Sequence, residues 1–128
     1  MDGFAENFKM KANKSIPFDF IVDALYGLHP VTKPMFETTA VYVYGKIVLA
    51  LRDNKKDPQT NDVWVAVDQL YHPELIQLIP SLTTFEIFGT KTRNWLLLPS
   101  TAEDFEKEAN LICELIKRND KRIGRHKN

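Results

Sequence analysis

The side chains able to do chemistry in this sequence are few and do not cluster. Histidines stand at positions 29, 72 and 126, and none has a second ligand at the short spacing of a metal motif such as His-Glu-x-x-His. His29 and His72 each precede a proline, Pro30 and Pro73. That context makes His29 a loop residue and His72 an N-cap or first-turn residue of a helix. Cys113 lies between Ile112 and Glu114 in an apolar-periodic run. A thiol in mid-helix has neither a neighbouring base nor a helix N-terminus to lower its pKa, so it reads as packing rather than as a nucleophile. The glycines at 3, 27, 45, 89 and 124 form no phosphate-cradling run. The stretch "DNKKDPQTND" (53–62) is rich in Asp and Asn, but Lys55 and Pro58 stand where a calcium loop needs an oxygen ligand and a tight-turn glycine.

Two further groupings carry weight. Glu37, Asp53 and Asp62 can meet only if the strands that bear them are neighbours, and acid–base work would also need a cleft that separates their pKa values. From Lys117 onwards the chain holds Lys117, Arg118, Lys121, Arg122, Arg125 and Lys127 against Asp120 alone. Such a cluster can neutralise phosphates and give salt-sensitive nucleic-acid affinity. With no interleaved aromatics to stack on bases, and with cations favoured at a helix C-terminus, it reads first as a solvated helix end.

The elements that must position these residues follow from periodicity. Residues 1–15 form a polar arm. A helix opens near Ser15 and Pro17, shows Phe18, Ile21, Val22 and Leu25 on one face, and ends around Gly27 to Pro30. A hairpin turns at Tyr44-Gly45. Residues 53–61 are a loop, and a strand follows at 62–67. A short helix from His72 ends at Pro80, a strand spans Thr83 to Phe88, and "GTKTRN" turns the chain into a strand at 95–98. Ser100 with Glu103, or Thr101 with Asp104, can make a capping box for a last helix carrying Phe105, Ala109, Ile112 and Ile116. The expected fold is α+β: a two-layer, mainly antiparallel five-stranded sheet in the order α-β(3)-α-β(2)-α. The expected organisation is an N-terminal arm (1–15), a single domain (16–118) and a basic C-terminal tail (119–128).

Composition bounds the function. Lys plus Arg and Asp plus Glu are both 17, so no global field draws the chain to nucleic acid or to an anionic membrane. A lone cysteine forms no internal disulfide and fits a reducing compartment. The start lacks the apolar core of a signal peptide, and no stretch has the apolar length of a spanning helix. The chain reads as cytoplasmic. Its main anomaly is the strands: all 18 residues of 40–43, 47–51, 63–67 and 95–98 belong to the apolar set, where a sheet with one wet face would alternate with polar side chains. Helices on both sides, a second copy of the chain or an apolar ligand must cover the second face. A second copy is the favoured cover.

The segments "KPMFETTAVYVYGKIVLALRDN", "DVWVAVD" and "NWLLLPSTAEDFEKEANLICELIKR" together resemble the N-terminal domain of the TfoX/Sxy competence regulators and their stand-alone relatives, over about residues 18–118. The resemblance implies a fold similar to secretion chaperones and MmcQ/YjbR-like domains, and a regulatory or partner-binding module without known chemistry. Glu37 departs from the glycine that usually follows Met-Phe in that family. No TfoX-like C-terminal domain follows, so the competence role is not carried over.

The expectation is therefore a non-catalytic interaction module without cofactor or metal, pairing with itself or another protein through Val41, Val43, Val48 and Trp64. The alternatives are nucleic-acid binding through the six basic residues above, or a small-ligand pocket holding Glu37 or His72 beside Tyr42 or Trp64.

Overall fold

Tyr44 and Gly45 both adopt positive φ, 57° and 74°, the pair of left-handed residues that lets a two-residue turn match the twist of its strands. The computed structural model describes residues 18–35, 37–52, 61–87 and 89–126. The tight turn joins β2 (Thr38–Val43) to β3 (Lys46–Arg52). Before them runs β1 (Val31–Met35), and after them come β4 (Asp62–Ala66) and β7 (Trp95–Pro99). These five form an antiparallel sheet in the order β1-β2-β3-β4-β7. Three α-helices, α1 (Asp19–Ala24), α2 (His72–Leu78) and α3 (Phe105–Lys117), complete the α+β architecture.

The membership of the sheet differs from the periodicity reading in its outer edge strand, and a short strand near the C-terminus adds a sixth member. The fifth strand is β1, on the outer edge. Pro34 masks its strand character, since proline supplies no ladder donor, yet an edge position tolerates it. Among the described residues, the 83–87 part of the strand expected there joins the sheet only through the Thr83–Leu97 bridge. Its end forms β5 (Glu86–Ile87), which pairs with β6 (Thr90–Lys91) in a separate ribbon.

The sheet buries one face under all three helices. Val41, Leu49, Val65 and Leu96 lie in one cross-strand row, with Leu51, Val63 and Leu98 beside it. These residues share a core cluster with Ile21 and Leu25, with Leu75 and Ile79, and with Ala109, Ile112, Cys113 and Ile116. The α3 residues recur at helical spacing, so burying them turns that stripe onto the sheet. Phe18 and Phe20 bracket Phe105 with ring centroids 5.3 and 6.3 Å away, which ties α1 to the start of α3. A bulge at Val48 interrupts the β2–β3 ladder: Val41 faces Leu49, but Tyr42 faces Ile47.

Neither capping box forms. Residues 100–104 make turns, with Ala102 N–H donating to Pro99 O and Phe105 N–H to Ala102 O, and Asp104 at the N-cap makes no side-chain cap bond. Pro99 ends the strand and these turns reverse the chain, so helix starts only at Phe105. The expected opening of the first helix at Ser15–Pro17, the N-terminal arm, and most of the 53–61 loop lie outside the described residues.

Beyond α3 the chain folds back onto the sheet. Asn119 takes a left-handed φ of 55°, Ile123 is buried, and the Gly124 N–H donates to Ala66 O at 2.8 Å. β8 (Arg125–His126) then pairs with Lys46 and Ile47 of β3.

Candidate functional site

The sheet face turned away from the helix cluster is built from the alternate residues. In register across it run Lys33, Ala40, Ala50, Trp64 and Leu97, with Val31, Tyr42 and Ile47 in the row toward the hairpin turn. Alanine at the sheet centre carries little area to hide, which is how an all-apolar strand avoids two equally demanding faces. Among the described residues no helix covers this face. The Thr83–Phe85 segment shields part of it, with the Phe85 ring 5.0 Å from that of Trp64, and Trp95 meets Trp64 edge-on at 5.9 Å. Val31 remains 52 % exposed, and Tyr42, Ile47, Trp95 and Leu97 are half-buried. The ammonium of Lys33 sits 5.3 Å from the centroid of the Tyr42 ring.

This geometry sorts the expected contact residues. Val41, Val43 and Val48 are all 2 % exposed or less and belong to the core cluster. They offer a partner no surface. Trp64 lies on the other face but is only 8 % exposed. The half-exposed side chains on that face, Tyr42 and Trp95 foremost, are the ones that a second molecule can touch. Strand periodicity alone could have separated Val41 and Val43 from Tyr42, because alternate positions of β2 point to opposite faces, but not Val48, where the bulge breaks the alternation.

A polar cluster closes one end of this face. Thr38, Arg52, Asp62 and Pro99 stand side by side in the ladder. Asp62 is buried and accepts a hydrogen bond from Trp64 Nε1. Burial pushes its pKa up to about 6 against the opposing pull of the Trp64 bond and the Arg52 charge. Arg52 reaches Glu37 Oε1 at 3.8 Å, and its buried Nε has no partner among the described residues. Glu37 and Asp62 thus gather around one guanidinium. Asp53 lies outside the described residues.

The histidines and the cysteine stand at separate places in the fold. His72 is the first residue of α2, buried, with Nε2 donating to Val67 O at 2.9 Å. His29 ends a 3-10 turn with φ 54°. Cys113 is buried with Sγ 4.0 Å from Ile21 O, and desolvation raises its thiol pKa to about 11. No group of three or more His, Cys, Asp or Glu among the described residues is arranged to hold a metal ion.

The basic C-terminal residues divide. Lys117 pairs with Glu114 at 3.2 Å, and Arg122 is held by Asp120 at 2.8 Å and Glu74 at 3.4 Å. Arg118, Lys121 and Arg125 are exposed, and Lys127 lies outside the described residues. His72 also lines a half-open cleft between α2 and the β5–β6 ribbon, which contains neither Tyr42 nor Trp64. Among the described residues no helix is long and apolar enough to cross a membrane.

No protein family, curated protein or solved structure matches the chain.

Proposed function

We propose that this chain is a non-catalytic interaction module that docks a protein, in the first instance a second copy of itself, on the sheet face away from its helices. The observation that carries this reading is the solvent left on that face to Val31, Tyr42, Ile47, Trp95 and Leu97, a patch rich in the aromatic types that anchor interfaces. The sheet edges favour face over edge. Pro34 interrupts the donors of β1, and the other edge strand, β7, is already occupied by Thr83 at Leu97. The same regulatory, partner-binding role is what a resemblance of the quoted segments to TfoX N-terminal domains implies, and a cytoplasmic setting fits it.

Sedimentation at micromolar concentration tests the proposal. Wild-type protein is expected to self-associate, and Tyr42→Glu with Trp95→Glu to weaken that association by at least roughly 10-fold while far-UV and thermal signatures stay native. A wild type that sediments as a monomer throughout overturns self-association. Substituting Val43 instead would report core damage rather than docking.

Nucleic-acid binding through the C-terminal basic residues draws less support, because Lys117 and Arg122 are already engaged by acids. Its test is Arg118→Gln with Lys121→Gln and Arg125→Gln, all exposed. Loss of a low-salt shift on DNA or RNA in this triple variant would favour it; a wild type that gives no shift refutes it.

A further inference from the structure

We propose that the cleft between α2 and the β5–β6 ribbon binds the phosphoryl group of a small organic phosphate. The cleft has a volume of about 650 Å³, within the range of sites that hold one small molecule. It is distinct from the sheet face described above, and the proposal does not rest on self-association.

The lining gives the ligand class. Lys91 and Arg93 bring two cations, Thr84 and Thr90 bring hydroxyls, Gln69 brings an amide, and no carboxylate takes part among the described residues. Among the described residues neither cation forms an ion pair. Glu86 stands opposite Lys91 in the ribbon ladder without pairing with it. Two unpaired cations and two hydroxyl donors lining one cleft are what a dianionic oxygen cluster needs: the ammonium as a point charge, the guanidinium as a planar fork able to hold two oxygens at once.

The site is fixed on its inner side. Thr92 donates its hydroxyl to Trp95 O at 3.0 Å and its amide to Phe85 O at 2.9 Å, which anchors the segment bearing both cations. His72 forms part of the inner wall, its ring held by the Val67 carbonyl. Pro73 and Ile76 supply an apolar wall beside the cations. A free phosphate would leave that wall unused, whereas the organic part of a phosphate ester covers it.

The experiment is an amide NMR titration of the full chain at low ionic strength with ribose 5-phosphate, inorganic phosphate and ribose. Ribose 5-phosphate should shift Thr90, Lys91, Thr92 and Arg93 saturably, with a dissociation constant of order 1 mM or tighter. Inorganic phosphate should bind the same residues several-fold more weakly, and ribose should leave them unmoved. Lys91→Gln and Arg93→Gln, both at exposed positions, should each weaken binding at least about 5-fold, and Glu86→Gln should tighten it by removing the neighbouring negative charge. Lys121→Gln should change nothing. Absence of saturable shifts up to about 20 mM, shifts confined to the C-terminal basic residues, or affinity indifferent to Lys91 and Arg93 would overturn the site. Equal affinity for inorganic phosphate and the ester would overturn the assignment to an organic phosphate.

Discussion

The indole N–H of Trp64 donates a 2.9 Å hydrogen bond to Oδ1 of Asp62, two residues earlier on the same face of β4. The bond spares a buried carboxylate some of its desolvation, and its cost remains visible in a pKa raised from 3.8 to about 6. Between these two values the folded chain binds more protons than the unfolded chain. The stabilisation from the protonated group is therefore complete below the lower value, declines as pH rises, and is lost above the upper one.

Asp62→Asn keeps the oxygen that accepts from Trp64 and removes the charge. It is expected to match the wild type near pH 4 and exceed it near pH 8 by about 1–2 kcal/mol, a figure kept below the full shift because relaxation of the folded chain relieves part of the desolvation that dominates it. Urea unfolding at both pH values measures the difference. A variant less stable than the wild type near pH 8 would mean that the Arg52 attraction outweighs the burial of the carboxylate.

The hairpin tip is tied to the far helix by Tyr44 Oη, which donates to Lys117 O at 3.2 Å. Tyr44→Phe removes one exposed bond and should cost about 0.5–1 kcal/mol. Gly45→Ala places a Cβ at φ 74° and should cost about 1–2 kcal/mol. Chemical denaturation resolves the larger effect clearly; equal stability of Gly45→Ala and wild type would contradict the turn geometry.

Cys113 should be inert in the folded chain. Its thiol is buried and its pKa raised to about 11, so thiolate is scarce near neutral pH and shielded where it forms. A disulfide-exchange reagent near pH 8 is expected to label native protein at least about 100-fold more slowly than urea-unfolded protein. Rapid labelling of the native chain would place the thiol at an accessible site.

Residues 119–126 belong to the fold. Ile123→Ala should cost about 2–4 kcal/mol as a core truncation. Gly124→Ala meets both a φ of 106° and Lys46 Cδ at 2.7 Å, for an expected loss of about 1–3 kcal/mol. Thermal melts of both variants check this. Removal of the chain from residue 119 onward should therefore lower stability as well as charge, which makes it unsuitable as a test of nucleic-acid binding.

Much of the fold was legible because local rules agreed with the global answer. Gly45 at the hairpin turn, the stripe of Ala109, Ile112 and Ile116, and the mid-helix position of Cys113 all appear where periodicity and turn chemistry put them. The edge strand β1 escaped notice because Pro34 breaks its pattern and partial exposure removes its alternation. The cleft at Lys91 and Arg93 was not legible at all. Its residues come from a helix start and a ribbon that sequence presents as a turn, and only their approach in space makes a site.

The sequence by itself determined an α+β chain whose strands are apolar on both sides, since side-chain type and period need no tertiary information. It also held residue types that differ between the two faces, Leu49, Leu51, Val63 and Val65 on one against Ala50, Trp64 and Ala66 on the other along β3 and β4. Only the tertiary structure decided which of those faces the helices cover, drew Ile123 and β8 back onto the sheet, and left Tyr42 and Trp95 half in water. Those outcomes depend on which surfaces meet across long loops, and the packing free energy that selects them is a property of the assembled layers and not of any one segment.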